Sequence, residues 1–508
     1  MSKKKRKSEG EVAGLIDRFI EGLTSGEMTI AEGDRIVEQL RNSAADVVPR
    51  LVELLTHQSE EDHLAMLTLL RELDDRRIVG ALRRVLQQPD YDDKTKLRVI
   101  QALDVLGAPI DEGTFRRAIS DPDALMQESL EQMLETISDP GPVQAFLEMM
   151  EETPSEMPGL YIQDVLAPLA DRRLLLLFAA LLYDERDDIV MAAIDAIERI
   201  KEPATIPLLQ ERAQYDPSRQ VRHTAENAAL RLQVRVGDPK VGDTDDERPP
   251  WIMPSSLPLD SCLLCTMDGS GGQVLFVSRE RPDGDLHVFD VMFNDHEGIK
   301  ECFAIVLDED EMDEMTHSFG TVEFVDISLE RAHAEIAHAL QVTLDARRRL
   351  PPAFVVWRGW LEGEDSRAVE EFPLPVLEPS QQAKLLAECE ELAGLEEFDF
   401  WFFNPDEVED FVPRYRKLQR QHRANRGQAD FEALLDEAIE AVIDDDYRHL
   451  LSDRLRRQAW MLAQLYEEVE VSLWALAAAA ALEEGVTVEH PLLREMMDAS
   501  FLNAVGEW

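Results

Sequence analysis

Residues 188–232 read DIVMAAIDAIERIKEPATIPLLQERAQYDPSRQVRHTAENAALRL, and the pattern in this stretch decides how the first half of the chain is built. Ala193, Ile197 and Ile200 follow at spacings of four and three, which places them on one helix stripe. A second apolar helix opens at Thr205-Ile206-Pro207-Leu208-Leu209. Asp216-Pro217-Ser218 then supplies a helix stop followed by an N-cap, and another helix runs through Val221, Ala225 and Leu232.

Moving outward, the position of Ile197 recurs as Leu73, Leu103, Leu134, Leu166, Ile197 and Leu230, at steps of 30, 31, 32, 31 and 33 residues. Four residues before these stand Leu69, Val99, Leu130, Ile162, Ala193 and Glu226; three residues after, Leu106, Ile137, Leu169 and Ile200 are apolar. An apolar helix precedes each stripe, as in VVPRLVELL from Val47, RIVGALRRVL from Arg77 and RLLLLFAALL from Arg173. The unit is therefore helix, turn, helix. One such pair cannot cover both of its apolar faces, so consecutive pairs are expected to stack as a solenoid.

The acidic or polar cap, the Val221-Arg222 pair and the small residues Ala225, Ala228 and Ala229 resemble HEAT-like repeats. The resemblance covers about 190 residues. It implies a docking or scaffolding protein whose partner contacts lie on the concave face of the array. The units around Phe115 to Leu169 depart from the pattern, with a Pro-rich break from Thr153 to Gly159.

The chain has 508 residues and a formal charge of −51, from 103 acidic and 52 basic residues. That surface repels nucleic acid and anionic lipid and favours basic partners. Four cysteines make no disulfide framework, and no run reaches the ~20 apolar residues a bilayer span requires, so a cytoplasmic protein without a membrane segment is expected. Lys3-Lys4-Lys5-Arg6-Lys7 is expected to be a disordered basic tail over residues 1–10, ahead of a solenoid over 11–235.

Residues 236–258 are rich in Pro, Asp and Gly and are expected to be a linker. Beyond them, Ser261–Met267, Gln273–Arg279 and Leu286–Phe293 alternate as strands, joined by Asp268-Gly269-Ser270-Gly271-Gly272 and by a turn at Asp283-Gly284. A helix over Glu309–His317, a strand over Thr321–Ile327 and a helix from Leu329 to Arg349 complete an antiparallel α+β domain over 259–379. Residues 380–508 read as a helical bundle, with helices over Ala429–Ile443, Ser452–Glu467, Val471–Glu484 and Pro491–Val505. The aromatic run Phe398–Phe403 is read as core. The fold class is thus mainly α with an α+β insert.

Several constellations bear on chemistry. Cys262 and Cys265 form a C-x-x-C, but on a strand they point to opposite faces and are read as buried thiols, with no metal. Thr266-Met267-Asp268-Gly269-Ser270 is similar to the first strand of the ribonuclease H family, in which an aspartate in this context binds magnesium. That resemblance implies Asp268 as a ligand, with Asp326 as a second carboxylate and Glu301 and Glu309 as further candidates. The glycine run lacks the G-K-[ST] ending of a phosphate loop. His333, Glu335 and His338 are read as a solvated helix face. Arg416, Lys417, Arg420 and Arg423 share one side of a basic helix that suits an anion or a partner contact, or pairs with the chain's own carboxylates.

These readings point to a non-enzymatic scaffold or adaptor that binds protein through a helical-repeat surface and uses no cofactor. A metal-dependent hydrolase centred on Asp268 is the alternative, and regulation of a nucleic-acid-associated complex is a third.

Overall fold

The computed structural model describes residues 3–24, 28, 30–43, 47–57, 61–73, 75–151, 153, 157–236, 254–361, 374–422 and 428–506. The described chain is mainly helical, with one five-stranded antiparallel sheet. It divides into two compact units, residues 1–135 and 136–508. That division falls inside the stretch expected to form one solenoid, and most of the expected linker, 237–253, lies outside the described residues.

Among its described residues the first unit has helices and no strand. Helix Lys3–Thr24 begins within the stretch expected to be a disordered tail. Lys and Arg are good helix formers, and the segment runs directly into an apolar stripe of Val12, Ile16, Phe19 and Ile20, all buried, from which the helix extends backward. Helices Val48–His57, Glu61–Leu73, Arg77–Val85, Asp93–Val105 and Glu112–Ala118 follow. Leu51, Leu55, Leu69, Ile78, Leu82, Val99 and Leu103 form their common core. The Asp92 side chain caps Asp93–Val105 by accepting from Thr95 N at 2.8 Å, and Asp111 caps Glu112–Ala118 by accepting from Thr114 N at 2.8 Å.

In the second unit the repeat positions Leu166 and Ile197 are buried, while Leu230 is 54% exposed and Leu169 38% exposed. Leu169 ends a break in the helical ladder in which Met157–Tyr161 passes into a π-turn over Ile162–Leu166 and a 3₁₀ turn over Ala167–Leu169. Helices Asp187–Ile200, Ile206–Tyr215 and Arg219–Val236 are regular.

The sheet has the order β4-β3-β2-β1-β5: β1 Leu259–Cys265, β2 Gly272–Glu280, β3 Leu286–Asn294, β4 Gly298–Leu307 and β5 Phe324–Asp326. β4 is not among the strands expected from the sequence. It is an edge strand whose Lys300, Glu301, Phe303 and Ile305 blur the alternation of apolar and polar residues. One sheet face, with Cys265, Val274, Phe276 and Val288, packs under helix Glu309–His317 through Met312. On the other face His287 and Phe289 pack against Trp357 and Trp360 of helix Pro352–Leu361.

The sheet and the C-terminal helices fall within one compact unit. Trp401 Nε1 donates to Met267 O at 2.9 Å, and Met267 N donates to the Gln458 side chain at 3.0 Å. Arg454, buried in helix Asp445–Leu465, meets the Asp295 carboxylate at 2.6 Å. Phe398, Trp401 and Phe403 lie in the bundle core, as read from the sequence, and Phe400 is exposed. No described helix is long and apolar enough to cross a membrane.

Candidate functional site

The carboxylates of the hydrolase reading do not converge. Asp268 Oδ1 accepts three hydrogen bonds from its own hairpin, from Ser270 N, Ser270 Oγ and Gly272 N, each at 2.8 Å. It closes the turn that joins β1 to β2. Asp326 is exposed and stands opposite Leu263 on β1. Leu263 is five residues from Asp268, or ~16 Å along an extended strand. Glu301 lies on β4, at the far edge of the sheet from β5 and four strand spacings away, ~19 Å. Glu309 opens helix Glu309–His317, and its charge there suits the helix dipole. Among the described residues no three His, Cys, Asp or Glu side chains are grouped to hold a metal ion.

The C-x-x-C cysteines are both buried. Cys262 is paired with Val277, and Cys265 Sγ accepts from Val274 N at 2.9 Å. Burial pushes their thiols up to about 11 and about 12. Such groups are poor thiolate ligands and poor nucleophiles.

The His333–His338 face is not uniformly solvated. Glu335 is only 3% exposed and lies between Arg331 and Arg457. Helix Leu329–Asp345 turns this residue inward toward helix Asp445–Leu465, a packing that local spacing does not reveal. Its role is a buried ion pair.

On helix Val412–His422, Arg416 and Lys417 are exposed and, among the described residues, have no ion-pair partner, while Arg414 pairs with Glu437 at 2.7 Å. The side chain of Arg420 and all of Arg423 lie outside the described residues. Tyr415 points inward and donates to Asp498 at 2.9 Å, so this helix presents its basic side outward.

Two concavities of the first unit gather polar side chains. A shallow groove of about 210 Å³ runs across three successive second helices and is lined by His63, Lys94, Arg98, Gln101, Glu128 and Gln132, among others. A larger cleft of about 650 Å³ lies among helices Arg77–Val85, Asp93–Val105 and Glu112–Ala118, where Arg83, Lys96 and Arg117 meet Gln87, Thr114 and Ser120. The sequence reading missed this cleft. Its available signal was the doubled arginine, Arg83-Arg84 and Arg116-Arg117, in the last turn of two successive first helices. Cations at that position also suit a helix C-terminus, which hides the signal.

Compared with protein-family models, curated proteins and solved structures, the chain matches none of the three.

Proposed function

We propose that this protein is a non-enzymatic interaction scaffold whose helix pairs are HEAT-like repeats and whose docking surface is the groove formed by the second helices of the first unit. The observation that carries this reading is the groove itself. Helices Glu61–Leu73, Asp93–Val105 and Pro122–Thr136 contribute to it in succession at about 30-residue intervals. Their inner stripes, through Leu69, Val99 and Leu103, are buried, and their outer sides carry His63, Lys94, Arg98, Gln101 and Glu128. Stacked pairs of this kind offer an extended mixed-charge surface without any convergence of catalytic groups. The separation of Asp268, Asp326 and Glu301 on the sheet lends the hydrolase alternative no support.

The test is affinity capture with the full chain against a Gln101→Arg, Glu128→Arg variant, with circular dichroism to verify the fold. The reading expects a specific protein to be retained by the wild type and lost by the variant. Identical captured sets, or none above an unrelated helical control, overturn it.

A further inference from the structure

We propose that the cleft bounded by helices Arg77–Val85, Asp93–Val105 and Glu112–Ala118 is a binding site for a phosphate monoester, centred on Lys96. Lys96 is only 6% exposed and lines the cleft. Among the described residues no carboxylate lies within ion-pairing distance of it. Asp93, one turn back in the same helix, acts on it through space but is hydrogen-bonded to Ser120 and Asp121 and forms no ion pair with it; a buried ammonium with no ion-paired partner is costly. Lys96 also sits at the start of helix Asp93–Val105, where the helix dipole disfavours a cation.

The nearby carboxylates are committed elsewhere. Asp92 caps its own helix through Thr95 N. Asp93 accepts from Ser120 N and Asp121 N, each at 2.9 Å. Asp111, the one acidic residue lining the cleft, accepts from Thr114 N at 2.8 Å and Thr114 Oγ1 at 3.0 Å. The lining therefore holds three cations, Arg83, Lys96 and Arg117, against this single carboxylate, in a chain of charge −51.

Three cations complement a dianion with several acceptor oxygens better than a carboxylate. Arginine forks match phosphate geometry, and lysine supplies a point charge. At about 650 Å³ the cleft exceeds one phosphate group and falls in the range of organic-ligand sites, so the phosphate is carried on a larger body. That body is either a free phosphorylated metabolite or a phosphorylated side chain of a partner. The cleft shares no lining residue with the groove, so the assignment does not depend on the docking reading.

Isothermal titration of the full chain at fixed ionic strength tests it, with inorganic phosphate first, then O-phosphoserine and ribose 5-phosphate. The expected result is saturable binding of phosphate at one site, weakened about tenfold or more by Lys96→Met. Because Lys96 is buried, an Arg83→Gln, Arg117→Gln variant, which changes exposed side chains only, provides the second measurement and is expected to lose affinity with its fold intact. Tighter binding of O-phosphoserine than of ribose 5-phosphate assigns the source to a modified partner, and the reverse assigns it to a metabolite. Absence of saturable binding by the wild type, or wild-type affinity in the arginine double variant, overturns the proposal.

Discussion

Arg349 grips Asp216 with both arms of its guanidinium, Nε to Oδ2 at 3.1 Å and Nη2 to Oδ1 at 3.0 Å, across 133 residues of sequence. Asp216 is fully buried in the turn before helix Arg219–Val236, and Arg349 follows helix Leu329–Asp345. The same guanidinium reaches Asp187 at 2.6 Å and the carbonyls of Asp184 and Glu185. One side chain thereby joins the starts of helices Asp187–Ile200 and Arg219–Val236 to the segment that follows helix Leu329–Asp345. This tie places residues on either side of the expected linker in a single compact unit.

Removing one partner of that pair leaves the other charge buried. Asp216→Ala is expected to destabilise the second unit by about 3–5 kcal/mol, more than Asp187→Ala, whose carboxylate is partly solvated. Urea unfolding of the full chain, followed by far-ultraviolet circular dichroism, gives both values. Equal and small losses for the two variants would show that the buried pair is not a principal tie.

Gly271 and Gly284 separate steric crowding from backbone strain. Both have positive φ, +85° and +96°. A Cβ at Gly271 would lie 2.1 Å from Asp295 Oδ1, the carboxylate held by Arg454, whereas one at Gly284 meets nothing within 4 Å. Gly284→Ala is expected to cost about 1 kcal/mol from left-handed strain alone. Gly271→Ala is expected to cost severalfold more, read as a difference in thermal midpoint between the two variants.

Local patterns were the legible part of this chain. Helices Glu309–His317 and Pro491–Val505 have the bounds read from spacing and caps, and four of the five strands fall within or overlap expected ones, three of them from alternation and Gly-Asp turns. Long-range pairings were not legible. Nothing near Glu335 announces Arg457, and nothing near Asp216 announces Arg349, because ion pairs 122 and 133 residues apart leave no periodic trace. Leu230, which a spacing of about 31 residues marks as a stripe position, is 54% exposed, because local spacing does not say which side of a helix its neighbours cover. The Lys96 cleft escaped because it is assembled from three helices, each contributing one unremarkable cation.

Asp268 offers a direct choice between a turn cap and a metal ligand. Asp268→Ala removes an acceptor of three hydrogen bonds and is expected to destabilise the chain by about 1–3 kcal/mol, whereas Asp268→Asn, which retains an acceptor oxygen, is expected to cost much less. Magnesium is expected to leave the wild-type melting temperature unchanged. A magnesium-dependent rise that Asp268→Asn abolishes would instead make this aspartate a metal ligand.

Asp290 on β3 gives the chain a titration of unusual sign. It is 3% exposed, its Oδ1 is buried without a hydrogen-bond partner, and burial, followed by the charge of Glu301, raises its carboxyl to about 7. In the unfolded chain the same group ionises near the ordinary aspartate value of about 4. Between these values the folded state keeps a proton that the unfolded state has lost, so the contribution of Asp290 falls as pH rises from about 4 to about 7 and then levels off. Carboxylates held down by partners, such as Glu198 beside Arg231 and Asp187 beside Ser218 and Arg349, act in the opposite direction. The informative quantity is therefore the difference between wild type and Asp290→Asn. Denaturant unfolding at pH 4, 6 and 8 is expected to show the variant gaining on the wild type by a few kcal/mol across this window, with little change above it. Parallel stability curves for the two proteins would mean that Asp290 is ionised in the folded state and that water or a nearby donor satisfies it.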